Sequence, residues 1–305
     1  MLDRFRGALL GLATGDAVGT TVEFQPPGSF PPLTDMIGGG VFKLEPGQWT
    51  DDTSMALCLA TSLLNKGGFD PVDQLQHYLR WRDHGEFSSN GRCFDIGNAT
   101  NAALSAFVQD QLPFPGDRFP DAGGNGTLMR LAPIPMFFAR TPAKALSWAV
   151  ESARVTHGAP EGKDACRYFA GLILGALQGV SREDLLAPNY CPVPEVLTLH
   201  PLHPKVAAVA AGSFKHAEVS AGGYVVTSLE AALWAFHQAE DFRHGCLLAA
   251  NLGDDADTVA AIYGQLAGAY FGVEGIPAEW LAKLAQRDAI DSLACRLYEA
   301  SSPAT

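Results

Sequence analysis

Apolar residues return every three to four positions along most of this chain, and Gly- and Pro-rich stretches interrupt the pattern. That period predicts helices over 2–18, 53–66, 70–82, 97–110, 142–155, 163–178, 205–212, 226–238, 242–250, 257–271 and 277–286. Between them fall "PPGSFPP" (26–32), "IGGGVF" (37–42), "DAGGNG" (121–126) and "APNYCPVPEV" (187–196), read as turns and loops. No stretch sustains the alternation of a half-buried strand, so strands should be short or absent. There is no internal repeat and no low-complexity linker. The polar motifs run from residue 16 to residue 258, and any boundary between them would divide them. The expectation is one all-α domain over residues 1–305.

Two of the expected helices begin in an unusual way. "GQWTDDTSMAL" (47–57) sets Asp51 and Asp52 between hydroxyls just ahead of an apolar run. Thr50 is placed to cap that helix, and acids in a first turn suit the positive end of the helix dipole. "NLGDDADTVAAIYGQLAGAYFG" (251–272) repeats the arrangement with Asp254, Asp255, Asp257 and Thr258. If the two starts face each other, four or five acids share one poorly solvated volume. Like charges so close repel by several kcal/mol and raise one another's pKa. A hard divalent cation between them resolves the conflict, because Mg²⁺, Mn²⁺ and Ca²⁺ take carboxylate and hydroxyl oxygens.

Composition narrows the class. Hydrophobic residues make up 47% of the 305 and charged residues 18%, enough for a sizeable core and too few for a disordered chain. A formal net charge of -12 argues against nucleic acid or an anionic membrane surface as the main partner. The longest apolar run outside the N-terminus, "YFAGLILGAL" (168–177), is too short to span a bilayer. The N-terminus carries Asp3 early and reads as a first helix rather than a signal peptide. Six scattered cysteines with no CxxC pair read as free thiols in a reducing cytosol, so a cytoplasmic protein is expected.

Other stretches carry polar groups that each have an ordinary structural explanation. Glu23 follows Gly19, Thr20 and Thr21 in "GLATGDAVGTTVEF" (11–24), where it could be a solvated loop acid. Asp95 and Asn98 bracket Gly97 at a helix start in "RCFDIGNAT" (92–100) and could simply cap it. "GGNGTLMR" (123–130) joins Gly124, Asn125, Gly126 and Thr127 in a loop that could cradle an anion, although it lacks the Lys of a P-loop. His157 closes "SARVTH" (152–157) as a helix-end partner or a catalytic base. Tyr224 follows two glycines in "GGYVVTSLEAALWAF" (222–236), where it could stack on a ligand ring or pack in the core.

Taken in order, GDAVGTTVE, WTDDTSM, CFDIGNAT, GGNGTLMR, SARVTH, GGYVVTSLEAALWAF and GDDADTVAAIYG resemble the ADP-ribosylglycohydrolase family. That group contains the dinitrogenase-reductase-activating glycohydrolase and the ADP-ribosyl-acceptor hydrolases. The resemblance spans nearly the whole chain, and the WTDDT and DDADT pair is its most specific part. It implies an orthogonal multi-helix fold with two divalent cations, Mg²⁺ or Mn²⁺, at the bottom of a cleft. Thr50, Asp51, Asp52, Asp255, Asp257 and Thr258 match the metal-ligand positions, and Glu23 matches a mobile acid beside the metals. Asp95, Asn98, Gly124, Asn125, Gly126, Thr127, His157 and Tyr224 match the ADP-ribose pocket. Many relatives carry Gly-Gly-Asp-Thr-Asp-Thr where this chain has Gly-Asp-Asp-Ala-Asp-Thr (253–258), and an Asp is expected where Thr227 stands.

The activity so implied is hydrolysis of the bond between ADP-ribose and an acceptor, most often an arginine of a modified protein. Metal-activated water would attack the anomeric carbon, with Glu23, Asp52 and Asp257 as the catalytic acids. Serine or other acceptors occur in some branches of the family. A monomer is expected. Two other readings stay open, a non-catalytic ADP-ribose-binding protein like the crystallin branch and a metal-dependent nucleotide phosphohydrolase.

Overall fold

The computed structural model describes residues 1–216 and 218–301; residue 217 and the last four residues of the expected 1–305 span lie outside it. The described residues form fifteen α-helices and no strand, with isolated bridges only at Gly39–Leu44 and Gly124–Tyr224. The first seven helices are α1 (Leu2–Gly19), α2 (Asp51–Lys66), α3 (Pro71–His84), α4 (Asn98–Asp110), α5 (Pro133–Phe137), α6 (Pro142–Arg154) and α7 (Pro160–Gln178). The next four are α8 (Arg182–Leu185), α9 (Pro194–Leu199), α10 (Pro204–Ala210) and α11 (Val225–Gln238). The chain closes with α12 (Phe242–Ala250), α13 (Ala256–Phe271), α14 (Ala278–Lys283) and α15 (Arg287–Ser301). Among the described residues no helix is long and apolar enough to cross a membrane.

The centre of the fold is the antiparallel pair α1 and α13, both buried over most of their length. Gly7, Gly11, Gly15 and Gly19 recur every four residues on α1, which lines them up as one ridge. They face Gly268, Gly264, Ala260 and Ala256 of α13. A β-carbon at Gly11 would stand 2.3 Å from the carbonyl oxygen of Gly264, and one at Gly15 would stand 2.0 Å from that of Ala260. Only a seam of small residues lets the two backbones come so close. The seam sets the register and brings the C-terminal end of α1 beside the N-terminal end of α13. At Gly19 an added β-carbon would lie 2.5 Å from the Cα of Asp257. Residues some 240 positions apart in sequence thereby share one site.

α13 fixes a second part of the cleft. The side chain of Gln265 is fully buried; it accepts from Ala132 N at 2.7 Å and donates to the carbonyls of Leu128 and Met129 at 3.1 and 2.8 Å. Those bonds hold the segment that follows the glycine-rich loop. All six cysteines are free.

The predicted helices are present, with shifted ends. α2 begins at Asp51 rather than 53, and α7 at Pro160 rather than 163, with the proline in the first turn where its missing N–H costs nothing. α14 stops at Lys283, short of the expected 286, because Leu284 turns to extended backbone and Ala285 N donates to Gly47 O. Four helices fall where none was expected. α5 and α9 begin at prolines, α9 inside a stretch that read as a loop, and α8 spans only four residues. The larger omission is α15, which buries Ile290, Leu293, Ala294 and Leu297 along one stripe.

Candidate functional site

α2 and α13 meet at their N-termini. Thr50 Oγ1 lies 2.9 Å from Asp16 Oδ1, 3.2 Å from Asp52 Oδ2 and 3.2 Å from Asp257 Oδ2. Thr50 does not cap α2 with its own side chain, as its sequence position suggested. Asp16 of α1 does so from outside the helix, accepting from the amides of Thr50 and Thr53 at 2.9 and 3.0 Å and from both hydroxyls. Thr50 Oγ1 thus lies within hydrogen-bond distance of three carboxyl groups, and its single proton can go to only one of them.

Seven acids line or underlie this floor: Asp16, Glu23, Asp51, Asp52, Asp95, Asp255 and Asp257. Burial is the first cause of their raised pKa values, and mutual repulsion adds to it for most of them. Asp16 is pushed up to about 6 by burial despite its hydrogen bonds, Asp95 to about 7 and Glu23 to about 10. Asp51, Asp52 and Asp257 lie well above the usual carboxylate range, and Asp255 is raised. A bound cation would reverse these directions by favouring the ionised forms.

The donor set fits a hard divalent cation, because it offers carboxylate and hydroxyl oxygens and neither thiol nor imidazole. Carboxylate oxygens of Asp16, Asp52 and Asp257 lie within 4.8 Å of one another, as do those of Glu23, Asp95 and Asp257. Asp257 belongs to both groups. Asp52 Oδ1 and Asp257 Oδ1 are buried without a hydrogen-bond partner among the described residues, a costly state for a carboxylate unless an ion satisfies it.

The backbone around these acids is held in a sparsely populated conformation. Phe24, Asp95 and Asp254 all line the cleft, and all are non-glycine residues with positive φ (60°, 60° and 49°). Phe24 N donates to Asp254 O at 2.6 Å and Asp254 N to Gln25 O at 2.8 Å, which clamps the Glu23 turn to the start of α13. Glu23 is therefore not a solvated loop acid. It is 3% exposed, with Thr20 Oγ1 3.4 Å from its carboxylate.

The departures from the family pattern have local explanations. Position 254 needs a left-handed residue, which glycine adopts freely and Asp tolerates better than most. Ala256 is fully buried against Gly19, where a larger side chain would crowd the seam. Thr227 donates its hydroxyl to Tyr224 O at 2.8 Å, within the first turn of α11.

Across the cleft, whose cavity measures about 720 Å³, the wall is built from Asn98, Thr100, Gly124, Asn125, Gly126, Met129, His157, Gly222 and Gly223. Asn125 donates to Asp255 Oδ2 at 2.7 Å and to Ser228 Oγ at 2.9 Å, and its amide to Gly223 O, so it joins wall to floor. Gly124 and Gly126 make room for the imidazole of His157. A β-carbon at Gly126 would stand 3.0 Å from His157 Cε1, and one at Gly124 3.2 Å from Nε2. His157 lies beyond the end of α6, 3% exposed, and burial with the nearby charge of Arg130 holds its pKa down at about 3.

Of the residues singled out in the sequence, Glu23, Asp51, Asp95, Asn98, Gly124, Asn125, Gly126, His157, Asp255 and Thr258 line the cleft. Thr50, Asp52 and Asp257 are buried just beneath them, as is Thr127 behind the glycine loop. Asp95 falls with the acids rather than on the far wall. Tyr224 packs on Gly123 outside the cleft lining, its hydroxyl held by Lys205 and Glu161 at 3.0 and 3.1 Å. Asp16 was not singled out, yet it organises the start of α2.

A sequence model described as ADP-ribosylglycohydrolase matches residues 1–305. The chain is 46% identical over 303 residues to the ADP-ribosylarginine hydrolase Tri1 of Pseudomonas putida (strain GB-1), covering 98% of this chain and 78% of that protein. It is 31% identical over 286 residues to the ADP-ribosyl-(dinitrogen reductase) glycohydrolase of Rhodospirillum rubrum, covering 92% and 90%. A solved structure described as an ADP-ribosylglycohydrolase-related protein complex superposes with a TM-score of 0.87 at 46% identity, over 99% of each chain.

Proposed function

This chain belongs to the ADP-ribosylglycohydrolase family, and from that premise we propose that it removes ADP-ribose from arginine side chains of modified proteins. The observation that carries this reading is the meeting of two acidic helix starts beneath a cleft, with Asp52 Oδ1 and Asp257 Oδ1 left unpartnered. The similarity to two ADP-ribosylarginine hydrolases, from Pseudomonas putida and Serratia proteamaculans (strain 568), supports arginine as the acceptor. The second of these is 42% identical over 300 residues, covering 97% of this chain and 79% of that protein.

Two divalent cations, Mg²⁺ or Mn²⁺, would be held by Thr50, Asp51, Asp52, Asp255, Asp257 and Thr258, joined by Asp16, and would polarise the ribose hydroxyls and a water molecule. The protein's own groups supply the rest. Glu23, buried beside the acids, is placed to take the proton of the water that attacks the anomeric carbon or to hand one to the departing acceptor. The surrounding carboxylates stabilise positive charge that builds on the ribose as the acceptor leaves. Asn98, at the first turn of α4, presents an amide to the ligand, and the small Gly124 and Gly126 let a diphosphate oxygen approach the loop closely.

The test is to incubate the protein with arginine-, serine- and nucleobase-linked ADP-ribose in the presence of Mg²⁺ or Mn²⁺. Free ADP-ribose released from the arginine conjugate is the expected product. AMP release would instead identify a phosphohydrolase, and tight ADP-ribose binding without turnover would identify a non-catalytic binder.

A further inference from the structure

Behind the far wall lies a buried cation with no acid beside it. Arg130 is 1% exposed, and among the described residues its guanidinium forms no ion pair with a carboxylate. Its Nη2 donates to Thr156 Oγ1 at 2.7 Å and to Ser152 O at 3.3 Å. The group sits 5.0 Å from the centre of the Tyr78 ring, and its Nε has no partner. A guanidinium can only donate, and its burial without an anion is costly.

Thr156 Oγ1 stands 2.8 Å from His157 Nδ1. The hydroxyl oxygen already accepts from Arg130, and Thr156 is fully buried with no other acceptor for its own proton among the described residues. An unsatisfied buried O–H is unfavourable, so the hydroxyl donates to Nδ1. Nδ1 is then the acceptor, and the ring proton of the neutral imidazole sits on Nε2. Nε2 faces Gly124, where an added β-carbon would be 3.2 Å away, and among the described residues it has no hydrogen-bond acceptor. His157 itself lines the cleft.

We infer that Arg130 and Thr156 are positioning residues that fix the tautomer of His157, so that Nε2–H is presented to the cleft as a donor for an acceptor atom of the bound ligand. Burial and the charge of Arg130 both disfavour the imidazolium, so the donor stays neutral. The relay rests on the geometry alone; only the identity of the acceptor atom, an oxygen or nitrogen of ADP-ribose, rests on the function proposed above.

The two are tested separately in one set of samples. Protein labelled with ¹⁵N-histidine and saturated with Mg²⁺ is studied by long-range ¹H–¹⁵N correlation, with the His157 signals assigned from their loss in His157→Gln. At pH 7 the wild type should show an unprotonated Nδ1 and a protonated Nε2. Thr156→Val and Arg130→Met should give mixed or reversed tautomers, and Thr156→Ser should restore the wild-type pattern. Calorimetry should show ADP-ribose binding weakened on the order of tenfold in Thr156→Val and within about threefold of wild type in Thr156→Ser. A wild-type Nδ1–H tautomer, or an unchanged tautomer in Thr156→Val, overturns the relay. The wild-type result needs only His157→Gln to fold, for the assignment of the signals. The expected tautomers together with no perturbation of His157 by ADP-ribose would uphold the relay and overturn the cleft's assignment to ADP-ribose.

Discussion

The floor and the far wall of the cleft are both buried and polar, yet they are unbalanced in opposite directions. On the floor, seven carboxyl groups crowd together, and Asp52 Oδ1 and Asp257 Oδ1 lack partners. On the wall side the surplus is in donors, with an unpaired guanidinium at Arg130 and an imidazole at His157 with no protein acceptor for Nε2. The floor lacks positive charge and the wall lacks acceptors. A cation would complete the floor, and an acceptor oxygen of an anionic ligand would complete Nε2 of His157, while Arg130 stays behind the wall. The comparison teaches that unsatisfied groups identify what is missing from a site more sharply than its shape does.

Four experiments separate the two sides. The largest effect is expected from Asp257→Asn, because Asp257 belongs to both acidic groups. Turnover should fall to near background and recover in part at high Mn²⁺ or Mg²⁺, since occupancy follows mass action. Full activity without added metal would contradict the role given to the floor. Glu23→Gln should lower turnover by roughly 10²–10⁴. Added metal should not restore it, and a metal titration of kcat checks the difference.

Gly126→Val moves the perturbation to the wall. Its β-carbon would stand 3.0 Å from His157 Cε1, so ADP-ribose binding should weaken by about tenfold or more while metal content is unchanged. Equal losses of metal and ligand in calorimetry would mean that the two sides cannot be treated separately.

The smallest effect is on stability and concerns the floor stripped of metal. Its carboxyl groups have folded-state pKa values raised above their unfolded values, to about 6 for Asp16, about 7 for Asp95 and about 10 for Glu23. Their protonated forms stabilise the fold at acid pH, and that contribution is lost as pH rises through the folded values. In EDTA the Tm should therefore fall by several degrees from pH 5 to pH 8, and saturating Mn²⁺ should flatten the decline. A metal-free Tm that rises across this window would contradict the crowding.

Much of this arrangement is legible along the chain, and the exceptions have physical reasons. The acid clusters at 51–52 and 254–257 stand out because each abuts an apolar run that cannot be surface. Asp16 does not stand out, since it reads as the polar end of the first helix. Its burial at 0% within α1 depends on the glycine seam with α13, which spans the length of the chain. An acid inside a run as apolar as 7–19 was nevertheless a usable signal. α15 escaped because its apolar residues 290, 293, 294 and 297 form a narrow stripe among charged ones. Arg130 and His157 lie 27 positions apart in the chain, and nothing in their spacing reveals the hydroxyl of Thr156 between them.

The central claim is that the floor is built for two divalent cations sharing Asp257. Anomalous scattering from crystals grown with Mn²⁺ tests it most directly. Two manganese peaks about 3.5–4 Å apart, both within coordination distance of Asp257, are the expected result. A single peak, or two peaks of which neither touches Asp257, would contradict it.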